Sequence, residues 1–205
     1  MYIRDRHGHL ERRRSHRHFR RALALAQPRP LHQRYVMDRL LLWIAQGTWL
    51  GRVPKAPGTA GTLGGFPLTA LLLWPGNFWA YLAGCILLLP ISARICEHAE
   101  RILGEKDPPS VVLDEIIAIP ICFLGIFAYM EFAGPSQPNL TAILEIPNWA
   151  AWALAAFALF RLFDIWKPGP INTIQKLPHG WGVIMDDVLA GIVVCTILGT
   201  AFYLI

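Results

Sequence analysis

The longest indication of the fold of this 205-residue chain is the apolar stretch LDEIIAIPICFLGIFAYMEF, residues 113–132. It is apolar over most of its length, and a helix of about 20 residues is long enough to cross a bilayer. Its apolar residues do not alternate with polar ones, which favours a helix over a strand. The sequence therefore predicts a membrane-spanning helix that opens with two carboxylates, Asp114 and Glu115.

Four further apolar blocks lie at roughly residues 62–74, 78–93, 148–163 and 188–205. The chain is 54% hydrophobic and its mean hydropathy is +0.39, well above the values of soluble proteins. We predict an all-α, multi-helix integral membrane bundle. Only the blocks 113–132 and 188–205 are long enough to cross a bilayer unaided, so the shorter blocks are expected to be tilted, re-entrant or enclosed by protein.

Lys and Arg are distributed unevenly among the loops between these blocks. The loops Arg94–Ser110 and Asp164–Asp187 contain bases, whereas Pro75–Asn77 and Ala133–Pro147 contain none. Basic loops mark the cytoplasmic side, so the pattern predicts five spans with the N-terminal side in the cytoplasm. Three unusual polar segments would then meet at the cytoplasmic face as an active site: Gly51–Thr62, Lys106–Glu115 and Arg161–Asp187.

The N-terminal segment differs in composition from the rest of the chain. Residues 1–34 hold ten Arg against two acids, whereas residues 37–205 hold nine bases against twelve acids. The segment lacks the apolar core and cleavage site of a secretory signal. We predict a disordered tail over residues 1–36, held against anionic lipids, and a membrane domain over 37–205. Charge alone would also fit a nucleic-acid arm, which we do not expect, and Met37 is an alternative start of translation.

The four cysteines do not indicate a thiol site. Cys85, Cys96, Cys122 and Cys195 are too widely spaced for a CxxC metal site, and they lie mostly in apolar stretches. A thiol phosphatase loop needs an Arg six residues after its Cys, whereas Arg101 follows Cys96 by five. We interpret the cysteines as packing residues.

The segment GRVPKAPGTAGTLGGFP, residues 51–67, concentrates Gly, Pro and Thr before an apolar helix. Small residues permit close backbone approach, and free N–H groups at a helix start favour a phosphate. Gly58, Thr59 and Gly61 are therefore candidate phosphate-binding residues. No Gly-Lys-Ser/Thr closes the segment, so it is not a P-loop; a small-residue face for helix packing is the alternative.

Two pairs of acids open apolar helices. Asp114 and Glu115 begin one block, and Asp186 and Asp187 in LPHGWGVIMDDVLAG begin another. Acids at membrane depth are functional by default, and Mg²⁺ takes one or two carboxylates together with substrate phosphate oxygens. All four are candidate Mg²⁺ ligands, and a favourable helix-dipole interaction is the structural alternative for one of Asp114 and Glu115.

Arg161, Asp164 and Lys167 lie in the segment FRLFDIWKPGPINTIQ, at the end of an apolar helix that Pro168 stops. Arg161 and Asp164 share a helix face, so an ion pair is the simple interpretation. Arg and Lys also suit a phosphomonoester, because Arg donates bidentate hydrogen bonds and Lys supplies a point charge. Arg161 and Lys167 are therefore candidate phosphate-binding residues as well.

In order and spacing, PGTAGTLGG, DE, FRLFDIWKPGPI and GWGVIMDDVLAG resemble the phosphatidylglycerophosphatase A family from about Gly51 to Gly191. The resemblance implies a Mg²⁺-dependent phosphatase of the bacterial inner membrane that converts phosphatidylglycerophosphate to phosphatidylglycerol and inorganic phosphate in phospholipid biosynthesis. The matching positions are Pro57, Gly58, Thr59, Gly61, Asp114, Glu115, Arg161, Asp164, Lys167, Pro168, Gly180, Gly182, Asp186 and Asp187. His179 departs from the pattern, because many members have glycine there.

These residues suggest a mechanism in which some of the four acids hold Mg²⁺ and Arg161 and Lys167 neutralise phosphate oxygens. Asp164, Arg161, Lys167 and Thr59 are the candidate catalytic residues. The nucleophile is either a metal-activated water or Asp164. The DGxxAR signature of CDP-alcohol phosphotransferases is absent, as is the KxxxxxxRP signature of a second lipid phosphatase class. The remaining alternative is a transporter with an acidic cation site; the sequence leaves the oligomeric state open.

Overall fold

Every regular element in the described part of this computed structural model, residues 31–175, 177 and 180–205, is helical. The prediction of an all-α fold is confirmed. A 3₁₀ turn lies at Leu50–Arg52. The α-helices in chain order are α1 Leu31–Ala45, α2 Pro57–Leu73, α3 Phe78–Leu103, α4 Leu113–Cys122, α5 Leu124–Phe132, α6 Leu140–Leu144, α7 Trp149–Trp166, α8 Pro170–Ile174 and α9 Trp181–Leu204.

The chain divides into two units, Met1–Met37 and Asp38–Ile205. The predicted disordered tail, residues 1–36, falls almost wholly outside the described residues, although α1 begins already at Leu31. His179, which departs from the family pattern, also lies outside the described residues. The tail and the boundary at Met37 stay predictions.

Among the described residues, four helical stretches are long and apolar enough to cross a membrane: Phe78–Leu103, Leu113–Phe132, Trp149–Trp166 and Trp181–Leu204. They identify the chain as a membrane protein and cover four of the five predicted apolar blocks. The remaining block lies in α2, which has 17 residues and is shorter than any of the four. A fifth crossing at α2 stays a prediction.

Residues 113–132 form two consecutive helices, since α4 ends at Cys122 and α5 begins at Leu124. Pro120 lies inside α4, and a proline removes a backbone hydrogen bond and kinks a helix. The carbonyl of Pro120 accepts a hydrogen bond from Tyr81 Oη on α3, 2.7 Å away. Phe123, between the two helices, and Phe127 on α5 stack with ring centroids 5.8 Å apart, and both belong to a large buried apolar cluster of the described residues.

Helix α2 runs between opposite ends of the bundle. At its start, Gly58 lies against Glu115 and Arg161, and beyond its end Gly76 lies against Asn139 of the loop before α6. We define the polar end of the bundle by the first turns of α2, α4 and α9 and the last turn of α7. The three polar segments that the sequence singled out therefore meet at this end, as the loop charges predicted, although the side of the membrane that it faces stays a prediction.

Candidate metal and phosphate site

Three carboxylates meet at the polar end. Asp114 and Glu115 on α4 and Asp187 on α9 each offer one oxygen, and these oxygens all lie within 4.8 Å of one another. We call these three residues the acidic cluster. Carboxylates at this separation repel one another unless protons or a cation lie between them.

The residues of the acidic cluster fit a hard divalent cation. Asp114 and Asp187 are buried and Glu115 is partly buried. Glu115 Oε2 is buried without a hydrogen-bond partner among the described residues, and such an atom needs a compensating charge or donor. Oxygen ligands alone, from several carboxylates, are the set that Mg²⁺ and Ca²⁺ prefer.

The fold builds this cluster from the start of α4. The residue before α4, Val112, donates its backbone N–H to the carbonyl of Ala45, 3.0 Å away, which ties the start of α4 to the end of α1. Asp114 Oδ1 accepts from the backbone N–H of Glu115 at 3.0 Å. Asp114 therefore interacts with the N-terminus of its own helix, as the helix-dipole alternative proposed. It belongs to the acidic cluster as well, so the two interpretations are compatible.

A second charged group lies at the end of α7. Arg161 Nη1 donates to Asp164 Oδ2 at 2.5 Å, which is the ion pair expected from their spacing. Lys167 Nζ lies 3.7 Å from Asp164 Oδ1 and 2.5 Å from Asp186 Oδ2. Asp164 is thus bracketed by two cations.

Lys167 caps α7 in an unusual backbone conformation. Its φ of 45° lies in the left-handed region, which is strained for a residue other than glycine, and its N–H donates to Phe163 O at 2.8 Å. Burial by itself would lower the pKa of Lys167, but its hydrogen bond to Asp186 and the charges of the nearby aspartates together raise that pKa above its usual value. The side chain is therefore a fixed positive charge at neutral pH.

The glycine-rich start of α2 divides between two roles. A side-chain carbon at Gly58 would lie 2.4 Å from Glu115 Oε1 and 3.1 Å from Arg161 Nη1, so Gly58 lies beside both a residue of the acidic cluster and Arg161. A side-chain carbon at Gly61 would lie 2.7 Å from Val112 Cβ, where α2 packs beside the start of α4. Thr59 stands in the first turn of α2, partly buried. Gly61 therefore serves helix packing, while phosphate binding at Gly58 and Thr59 stays a prediction.

The fourth predicted ligand, Asp186, does not join the acidic cluster. Its Oδ2 accepts from Lys167 Nζ and, at 2.8 Å, from Gln175 Nε2. Sequence reasoning missed Gln175, because a glutamine just after a short helix has no chemical signature. Its position inside the segment that contains Arg161 and Lys167 was the one available signal.

Solvent reaches this region through cavities at the polar end. A cavity of about 230 Å³ is lined by Lys106, Asp107, Gln175, Gly182 and Val183. A neighbouring cavity of about 440 Å³ shares Lys106, Gly182 and Val183 with it and is also bordered by Arg101. Gln175 therefore lies between solvent and the buried Asp186.

The fold and the site together define a helical membrane protein with an acidic cluster next to an arginine and a lysine at one end of its bundle. The sequence profile of phosphatidylglycerophosphatase A matches residues 43–202. The chain belongs to the phosphatidylglycerophosphatase A family, a family of phosphatase enzymes. The match extends beyond the quoted motifs to nearly the whole of the second unit.

Curated relatives agree with this assignment. The chain is 32% identical over 150 residues to phosphatidylglycerophosphatase A of Haemophilus influenzae, covering 73% of this chain and 80% of that protein. It is 28% identical over 176 residues to phosphatidylglycerophosphatase A of Escherichia coli, with coverages of 82% and 90%. It is 33% identical over 166 residues to a putative phosphatidylinositol-3-phosphatase of Bacteroides thetaiotaomicron, with coverages of 79% and 93%. No solved structure matches the chain.

Proposed function

We propose that this chain is a Mg²⁺-dependent lipid phosphatase of the bacterial inner membrane that hydrolyses phosphatidylglycerophosphate in phospholipid biosynthesis. The observation that carries the proposal is the junction at Gly58, where Glu115 of the acidic cluster and Arg161 approach the same point from two helices. A phosphomonoester bound there would meet a cation site on one side and a guanidinium on the other. The names of the Haemophilus and Escherichia relatives supply the substrate.

Asp114, Glu115 and Asp187 are the residues that we propose to hold Mg²⁺. When bound, the ion would neutralise negative charge on the phosphate and fix its orientation. The acids also lie at the end of the bundle, beside cations, rather than alone in the middle of the spans. This arrangement favours an enzyme over the transporter alternative, which has no use for Arg161 and Lys167.

The phosphate oxygens would be bound by donors of this chain. Arg161 Nε is buried without a hydrogen-bond partner among the described residues, so the guanidinium keeps a free donor after its bond to Asp164. Lys167 adds a second positive charge, and the first turn of α2 at Gly58 and Thr59 adds the N-terminal end of a helix dipole. Such fixed donors stabilise the charge that phosphoryl transfer spreads over the oxygens.

Water is the nucleophile that we propose. Its oxygen forms a bond to phosphorus while the ester P–O bond breaks, and the lipid alcohol takes up a proton as inorganic phosphate is released. Asp164 is the other candidate, but both of its oxygens face cations, Arg161 and Lys167, which weakens a carboxylate as a nucleophile. We propose instead that Asp164 orients these two side chains. Rapid acid quenching during turnover should yield no phosphorylated protein, whereas a phospho-Asp164 peptide would show that Asp164 attacks.

The acyl chains would lie along the outer surface of α7. Ile165 and Trp166, one turn beyond Arg161, are 72% and 67% exposed, and exposed apolar side chains on a membrane helix face lipid. A lipid bound along this surface would bring its headgroup to the polar end, which we propose to be cytoplasmic.

The test is phosphate release by the purified full-length chain in detergent micelles, with Mg²⁺ and then with EDTA. Asp187→Asn and Arg161→Ala should each reduce turnover about 100-fold or more, the usual loss for a group that stabilises transition-state charge. Glu145→Gln, at an exposed acid beyond α6, should leave turnover unchanged.

Phosphatidylinositol 3-phosphate serves as the comparison substrate, because the Bacteroides relative is named for it. Faster hydrolysis of phosphatidylglycerophosphate is the expected result. Hydrolysis of the inositol lipid alone would change the assigned substrate to that lipid. A well-folded protein that releases phosphate from neither lipid at any Mg²⁺ concentration would overturn the proposal.

A further inference from the structure

The adjacent acids Asp186 and Asp187 have different surroundings. Successive residues on a helix point about 100° apart, and here the two side chains contact different groups. Asp187 lies in the acidic cluster, while Asp186 accepts from Lys167 and Gln175. The sequence shows one acid pair, but the fold separates it into two environments.

Gly182 explains how Gln175 reaches Asp186. A side-chain carbon at Gly182 would lie 2.4 Å from the carbonyl oxygen of Gln175 and 2.7 Å from that of Leu177. Gly182 and Asp186 are four residues apart and therefore share one face of α9. The missing side chain at Gly182 lets the backbone of Gln175 and Leu177 lie directly on this face, which brings the Gln175 amide to Asp186.

The Asp186 carboxylate is deeply buried and depends on its partners. It is 2% exposed, and a buried carboxylate needs donors to offset its lost hydration. Both donors act on Oδ2, whereas Oδ1 is buried without a hydrogen-bond partner among the described residues. Loss of the Gln175 donor would leave the carboxylate with Lys167 alone.

Lys167 gains a defined position from this arrangement. Its ammonium group lies between Asp186, at 2.5 Å, and Asp164, at 3.7 Å. A lysine side chain is flexible and loses much conformational freedom when it is fixed. A carboxylate that is itself held by an amide can fix the ammonium group before the substrate binds, which is the usual benefit of partners behind a binding residue.

We propose that Gln175 and Asp186 are positioning residues that hold the Lys167 ammonium group for the substrate phosphate, and that Asp187 alone of the acid pair belongs to the metal site. The inference rests on the proposed function only in taking Lys167 to bind the phosphate. It changes the role expected for Asp186, which the sequence placed among the Mg²⁺ ligands.

The first test measures Mg²⁺ binding independently of catalytic turnover. Thermal unfolding of the full-length protein in detergent is followed during a Mg²⁺ titration. Asp186→Asn and Gln175→Ala should keep the Mg²⁺-induced rise in Tm at wild-type concentrations, while Asp187→Asn should lose it. Loss of the rise in Asp186→Asn, to the same extent as in Asp187→Asn, would make Asp186 a metal ligand and overturn the assignment.

The second test concerns Lys167. Gln175→Ala should lower kcat/KM about 5- to 20-fold, in the range for one lost hydrogen bond to a charged group, and should raise the inhibition constant of inorganic phosphate by a similar factor. In a Lys167→Ala background, Gln175→Ala should have no further effect, because the effects of two substitutions that act through one group are not additive. Gln137→Ala, at an exposed glutamine in the loop before α6, is the matched control. Additive losses in the double variant would refute the positioning role.

The two proposals can fail separately. Hydrolysis of neither lipid by the wild-type chain would refute the substrate. The positioning roles would still be supported if Asp187→Asn alone loses the Mg²⁺-induced rise in Tm, and Lys167→Ala and Gln175→Ala both lose the phosphate-induced rise. An active enzyme whose phosphate response survives Gln175→Ala would support the function and refute the inference.

Discussion

At the scale of single residues, the site depends on a position that has no side chain. Gly58 lies beside both the Glu115 carboxylate and the Arg161 guanidinium. A methyl group there would lie 2.4 Å from Glu115 Oε1, so the carboxylate would have to move out of the acidic cluster. Gly58 is thus a residue of the site even though it offers only a backbone N–H.

Gly58→Ala should therefore reduce kcat at least 10-fold with little loss of stability, because the displaced atoms are ends of side chains in the site. The measurement is phosphate release together with Tm. Gly64→Ala is the matched control, since its new methyl group would contact Leu50 Cδ1, at 2.4 Å, outside the site. Equal activities of the two variants would contradict the assignment of Gly58.

At the scale of elements, the helices that carry the site are held together at the opposite end by a close contact. Gly125 on α5 and Gly199 on α9 face each other, and a side-chain carbon at Gly125 would lie 2.5 Å from the carbonyl oxygen of Cys195. Small residues let membrane helices pack at backbone distance, where dispersion and weak hydrogen bonds act between them. This contact fixes α9 against α5, and α9 carries Asp187 into the acidic cluster.

Gly125→Ala should destabilise the fold by about 1–3 kcal/mol, the usual range for overpacking, because the obstructing atom belongs to the backbone. The unfolding midpoint in detergent should fall, while the activity of the protein that remains folded should be retained. Thr196→Leu, at an exposed position on α9, should leave the midpoint close to that of the wild type. An unchanged midpoint in Gly125→Ala would show that α5 and α9 can separate freely.

At the scale of the whole molecule, aromatic residues indicate where the bilayer surfaces lie. Trp74, which is 79% exposed, and Trp79 lie at one end of the bundle, while the exposed Trp166 lies at the polar end. Tryptophan side chains favour the membrane–water interface. The basic loop after α3 predicts that the polar end faces the cytoplasm.

Single cysteines should reveal this orientation in intact cells. A membrane-impermeant maleimide should label Ser136→Cys, in the loop before α6, without permeabilisation, and Glu105→Cys, after α3, only after it; both positions are exposed. The wild-type chain is the control for its own thiols, of which Cys85, Cys96 and Cys122 are buried and Cys195 is partly buried. The reverse pattern of labelling would place the polar end outside the cell.

The sequence alone determined the helical membrane fold and the segments that meet at the polar end, because apolar length, loop charge and proline positions act locally along the chain. It also led to the family through its motifs. The ion pair of Arg161 and Asp164 followed from helical spacing alone.

The roles of the individual polar residues depend on the tertiary structure. The approach of α8 to α9 pairs Asp186 with Gln175 and Lys167, while Asp187 turns toward α4. The same packing places Gly58 in the site. These assignments depend on the angles and contacts between helices far apart in the chain, which neighbouring residues do not specify.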